Sequence, residues 1–225
     1  AKALLKVIQL TQQHRGLSAL VLGGNTASQD ARAKKQAEAD DAYKKVSELI
    51  DSTMTDAKAK SAWTQARKDW TDLAAKVSSG SLKVPESFAA HTALLKDLLR
   101  TVDLFADAYG LALDPEYASY QLIRAVLYSL PTLTEELGKT RAKGTGMLAT
   151  KMAPPPDRLA LGLYAGMAAQ SLDEMRNAFG KATDIDPALK AKLKDEIVLA
   201  EAGAKGAIEL ANSQILNVDE LTFAG

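Results

Sequence analysis

Near the amino end, Leu4, Ile8, Thr11, Arg15, Ser18 and Leu22 recur at three- and four-residue steps, beside a second stripe of Val7, Leu10, His14, Leu17 and Val21. On a helix each set lies along one side, so Arg15 faces a packing partner. A guanidinium keeps its charge and presents five donors, so burying it requires carbonyls, a carboxylate or a bound anion. Thr11 and Ser18, one turn to either side, complete a polar layer, and Gly16 and Ala19 admit a close neighbouring backbone. The run Leu130, Leu133, Leu137, Arg141, Gly144, Leu148 repeats the arrangement, with Ala142, Gly144 and Gly146 as small neighbours of Arg141. Two such arginines could grip one planar oxyanion through charge-assisted bidentate bonds. Arg124, on a side shared with Tyr117, Tyr120, Leu127 and Tyr128, is a third candidate. The plainer reading of any one of them is an arginine paired with a nearby acid or reaching for water.

Other chemistry has little material. There is no cysteine, which excludes disulfides, zinc–thiolate sites and thiol nucleophiles, and only two histidines occur. His14 and His91 read as partly buried hydrogen-bonding residues rather than ligand contacts, and Trp63 and Trp70 as core or module-interface anchors. The adjacent carboxylates Asp40-Asp41 and Glu135-Glu136 would point about 100° apart on a helix and form no dyad, so they read as solvated faces. No nucleophile elbow, phosphate loop, zinc-binding helix or dinucleotide fingerprint is present, so an enzyme is not expected, nor a cofactor or metal. With 28 Lys+Arg against 28 Asp+Glu and no basic block, nucleic acid is not an expected partner.

The elements that must position these residues are helices, because alternating β-branched and aromatic runs are missing. The pattern predicts helices over residues 1–22, ending at Gly23-Gly24-Asn25, and over 28–50, whose sparse apolar residues are Ala33, Ala37, Tyr43, Val46 and Ile50. A third follows a cap at Thr55 or Asp56 and carries Trp63, Trp70, Leu73 and Val77. A fourth begins at Pro85 and closes near Gly110. Asp114-Pro115-Glu116 supplies a cap, a first-turn proline and an acid for a fifth. Pro131 should kink or break it. After Pro154-Pro155-Pro156-Asp157 a helix runs from Leu159 to about Lys181, and Asp186-Pro187 opens a last one reaching about Leu216. Twenty to thirty residues at ~1.5 Å each favour elongated helical bundling. No run suits a bilayer crossing. The uncapped start at Ala1 suggests a chain cut inside a longer helix, and residues 217–225 read as a loop.

At Gln12-Gln13-His14-Arg15-Gly16-Leu17-Ser18-Ala19 and Leu137-Gly138-Lys139-Thr140-Arg141-Ala142-Lys143-Gly144 the sequence resembles the all-helical extracytoplasmic sensor domains of bacterial chemoreceptors and sensor kinases, and among them the nitrate- and nitrite-sensing domains. His14 and Thr140 stand where that family tends to have Glu. The segments Asp114-Pro115-Glu116-Tyr117-Ala118-Ser119-Tyr120 and Leu130-Pro131-Thr132-Leu133 also look like those of such domains.

The resemblance implies a single extracytoplasmic sensing domain over residues 1–225, all-α, built as an elongated double four-helix bundle whose two stacked modules share long helices. It implies a homodimer anchored in the bacterial inner membrane by flanking spans, facing the periplasm and serving chemotaxis or related signalling. Residues matching Arg15 and Arg141 would contact nitrate, nitrite or a small carboxylate between helices, and binding would shift a helix and signal to a cytoplasmic module. The alternative is a helical interaction module recognised by a periplasmic binding protein or partner subunit, with no small-molecule ligand.

Overall fold

The computed structural model describes residues 2–219. The expected start at Ala1 and the end of the carboxy-terminal loop lie outside the described residues. The fold is all-α, with no strand among the described residues. It divides into two compact units, residues 1–113 and 114–225. Every described helix lies wholly in one unit.

The first unit comprises α1 (Lys2–Leu22), α2 (Gln29–Thr53), α3 (Ala57–Ser78) and α4 (Val84–Ala108). Its breaks are the ones the sequence announces. Gly24 and Gly80 adopt positive φ at the turns after α1 and α3, a conformation that costs glycine no Cβ clash. Asp56 caps α3 by accepting from the Ala59 N–H at 2.7 Å. The Glu86 carboxylate accepts from the Lys83 N–H at the start of α4, next to Pro85.

Side-chain pairs fix the register. Along α2 and α3 they are Arg32–Ser78, Asp40–Trp70 and Ser47–Trp63; between α1 and α4, His14–His91 and Arg15–Thr92, with Gly23 beside Val84. Both pairs of helices are therefore antiparallel, as short connections require. The centre is aromatic: Tyr43 stacks on Trp70 (centroids 5.1 Å apart) and on Trp63 (5.4 Å), and each indole N–H is satisfied, on Asp40 and Ser47 respectively.

The second unit holds three helices among the described residues rather than four. The first runs from α5 (Tyr117–Ile123) through a π-helical stretch (Arg124–Ser129) into α6 (Leu130–Thr150); α7 (Pro155–Ile185) and α8 (Pro187–Ala211) follow. The fifth helix is capped by Glu116, not Asp114. The Glu116 carboxylate accepts from the Ala118 and Ser119 N–H groups, while Asp114 turns the chain by accepting from the Glu116 N–H. Nor does Pro131 break the helix. In the wide turn ahead of it the Leu130 N–H bonds to the Ala125 carbonyl, five residues back, which relaxes the turn that the pyrrolidine ring would otherwise crowd. Asp186 caps α8 through the Ala188 and Leu189 N–H groups.

The core of this unit is built on α7, whose Ala168, Leu172, Met175, Ala178 and Phe179 meet Ala125, Leu133 and Ala204. A second cluster, Met147, Leu161 and Ile215, brings Ile215 against Gly144.

Candidate functional site

In the first unit Arg15 is buried, at 4% exposure. Its Nη1 donates to Thr92 Oγ1 at 2.9 Å, and its guanidinium carbon lies 4.9 Å from the centroid of the Phe88 ring. Both partners belong to α4, one turn apart. Thr92 is itself anchored, donating to the Phe88 carbonyl at 2.8 Å. Thr11 is fully buried and faces α2 instead: its hydroxyl donates to the Val7 carbonyl and lies 3.2 Å from the Tyr43 hydroxyl. Burial pushes the Tyr43 phenol well above its ordinary pKa. Ser18 is fully buried, 3.4 Å from His14 Nδ1. The residues expected to form a layer are thus all inside, with Arg15 turned to α4 and Thr11 to α2.

The layer is joined by a pair of histidines that hydrogen-bond as the sequence suggested but are fully rather than partly buried. His91 Nδ1 lies 2.7 Å from the Ser87 carbonyl, which can only accept, so Nδ1 carries the proton and Nε2 offers a lone pair. His14 Nδ1, 2.9 Å from that lone pair, must then be a donor, which leaves His14 Nε2 bare and buried without a hydrogen-bond partner. Both rings are neutral. Burial, with His91 and Arg32 nearby, pushes His14 down to about 3, against a smaller upward pull from Gln36. Burial also takes His91 down to about 4, with the Ser87 carbonyl pulling the other way and Arg15 adding to the fall.

A residue absent from the expected site lies inside as well. Arg32 is 5% exposed, donates from Nη1 to Gln36 Oε1 at 2.6 Å and to Ser78 Oγ at 3.1 Å, and has a buried Nε without a partner. The signal was in the sequence. The inward stripe of α2 is Arg32, Ala39, Tyr43, Val46 and Ile50, not the one through Ala33 and Ala37, which are exposed.

The second unit departs further from expectation. Arg141 is exposed, and so is Arg124 on the π-helical stretch. The inward stripe of α6 passes through Leu133, Thr140, Gly144 and Met147, so Thr140 takes the interior place and Arg141 is rotated 100° away from it. Glu135 and Glu136, read as solvated, are buried at 5% and 4%. Lys139 accompanies them, bonding Glu136 Oε1 at 2.6 Å while lying 4.8 Å from the Tyr164 ring centroid; Glu136 Oε2 is buried without a partner. Glu136 shares the inward stripe with Leu133 and Thr140, whose hydroxyl bonds the Glu136 carbonyl. Arg158 is a further residue that spacing did not flag: its Nη1 holds the carbonyls of Ile215 and Val218 where the last helix ends.

Among the described residues no group of three or more His, Cys, Asp or Glu could hold a metal, and no helix is long and apolar enough to cross a membrane. The first unit is an antiparallel helical bundle that holds a guanidinium inside it between a hydroxyl and an aromatic ring. The comparison with known families is specific: the model for nitrate and nitrite sensing matches residues 6–216, and the chain belongs to that family. No curated protein and no solved structure matches the chain.

Proposed function

We propose that this chain is the ligand-sensing domain of a membrane receptor, binding nitrate or nitrite in the layer around Arg15 and passing a small helix displacement to an attached signalling module. The observation that carries the reading is a permanently charged side chain buried in the α1–α4 seam and oriented by Thr92 and Phe88. A planar guanidinium suits a planar oxyanion, which can accept two of its N–H groups at once. Because Arg15 extends from α1 and its supports from α4, an anion that joins them favours one α1–α4 arrangement over another. Shifts of an ångström or two between packed helices are an established way to signal, and their size is limited by the ligand's differential affinity.

Arg141 and Arg124 enter this reading as secondary contacts. An exposed guanidinium holds an anion weakly against water, so either would need a covering surface, which a second copy of the chain in a homodimer would supply. Ser18 and Thr11 line the layer. Periplasmic exposure, membrane anchoring and a role in chemotaxis follow from the receptor reading. Catalysis has no part in it.

Calorimetry with nitrate, nitrite, acetate, malate and citrate tests the proposal and the anion it serves. Arg15→Ala should weaken binding by roughly ten- to a hundredfold, the worth of charge-assisted hydrogen bonds. Arg141→Ala should have a smaller effect. Unchanged binding in both variants overturns the reading.

A further inference from the structure

We infer that Arg32 marks a second anion-binding position in the first unit, separate from the Arg15 layer, which takes a small monovalent anion such as chloride or nitrate. The residue is nine-tenths buried where α2 begins and α3 ends, and its visible partners are neutral: Gln36 Oε1 and Ser78 Oγ. Ser78 also donates to the same Gln36 oxygen at 2.9 Å, so that one amide oxygen receives both groups. Among the described residues no carboxylate forms an ion pair with Arg32. Its Nε–H is buried and bonded to nothing.

Compensation from the surroundings is incomplete. Ser78 is the last residue of α3, and a helix carboxyl end contributes about half an elementary negative charge, against the whole positive charge of the guanidinium. His14, whose ring feels the Arg32 charge, is neutral and adds none. A buried cation short of both a counter-charge and a hydrogen-bond acceptor is less stable than a compensated one, and a single small anion supplies both deficits.

Gln36 and Ser78 both hold Nη1, the amino group on the Cδ side of the guanidinium. The opposite edge, Nε–H with Nη2, is the one by which a guanidinium binds oxyanions in bidentate fashion, and among the described residues nothing bonds to it. Charge limits the ligand: one unbalanced positive charge and two aligned donors select a monovalent ion, whereas a di- or tricarboxylate would bring surplus charge into the bundle.

The Arg32 Nε–H resonance in a nitrogen–proton spectrum, assigned by its loss in Arg32→Lys, reports the site directly. Titration with sodium nitrate or sodium chloride, at ionic strength held constant with gluconate, should shift it saturably in the wild type. The shift should persist with the same midpoint in Arg15→Ala, which separates this site from the proposed sensing layer. Arg32→Met, which replaces an uncompensated charge with a side chain of similar length, should fold with equal or higher thermal stability and lose the nitrate-dependent rise in melting temperature that persists in Arg15→Ala. A resonance that does not move, one whose response disappears in Arg15→Ala, or an Arg32→Met protein with an unaltered anion dependence would each overturn the inference.

Discussion

Mild acid should unfold the first unit, and the histidine pair should account for the steepness. In the folded chain His14 is pushed down to about 3 and His91 to about 4, whereas in the unfolded chain both return to near 6.5. The unfolded state therefore binds two protons that the folded state refuses. Stability from this source is complete above pH 6.5 and drains away as the pH falls toward 4. Each histidine costs about 1.4 kcal/mol per pH unit in that window, so the two together cost roughly 5 kcal/mol between pH 6.5 and 4.5. That is comparable with the whole stability of many domains, about 5–15 kcal/mol.

The chain's two tryptophans, Trp63 and Trp70, both lie in the core of the first unit, so indole fluorescence during urea unfolding reports on it alone. Measured at half-unit steps from pH 7.5 to 4.5, the wild type should lose stability far more steeply than the double variant His14→Gln/His91→Gln, whatever the variant's stability at neutral pH. Comparing slopes removes the contribution of the carboxylates, which both proteins share. Equal slopes, or imidazole resonances that titrate near pH 6.5 in the folded protein, would refute the reasoning that these rings are buried and neutral.

Two further perturbations test how the helices are set. Asp56→Ala removes the side-chain acceptor for the Ala59 N–H and should cost about 1 kcal/mol in urea unfolding, most of it restored by Asp56→Asn. At Gly144 an added Cβ would stand 3.0 Å from the Ile215 methyl. Gly144→Ala should therefore change stability little, because a helix-propensity gain of up to about 1 kcal/mol is offset by the tight contact; Gly144→Leu should lose about 1–3 kcal/mol, followed by circular dichroism.

Much of the local structure was legible because it depends on neighbours in sequence. Asp56 and Asp186 cap the helices they precede, and Gly80 closes α3 where the Ser-Ser-Gly-Ser break stands. Asp114 illustrates the margin of error. Asp114 and Glu116 are both acids near a helix start, and the longer side chain reaches two N–H groups, leaving the shorter to form the turn. Pro131 predicts a kink or a break because a proline's cost in an ordinary helix is local. The π-helical stretch ahead of it is a cooperative rearrangement of the backbone that a residue-by-residue reading does not contain.

The candidate site was legible only in part. Arg15 lay on a strong apolar stripe and is buried; Arg141 lay on one nearly as strong and is exposed, because Thr140 is equally compatible with the spacing and fills the interior place. Arg32 was passed over on a helix dense with charge, although Arg32, Ala39, Tyr43, Val46 and Ile50 are spaced for one face.

Taken alone, the amino-acid order determined the helices, most of their ends, and the family, since capping, turn chemistry and short motifs are encoded within a few residues. Which of two adjacent residues turns inward, which arginine meets a hydroxyl and which meets water, and which tautomer a histidine adopts were decided by packing. A helix surface has more stripes than it can bury, and only the neighbouring helices select among them.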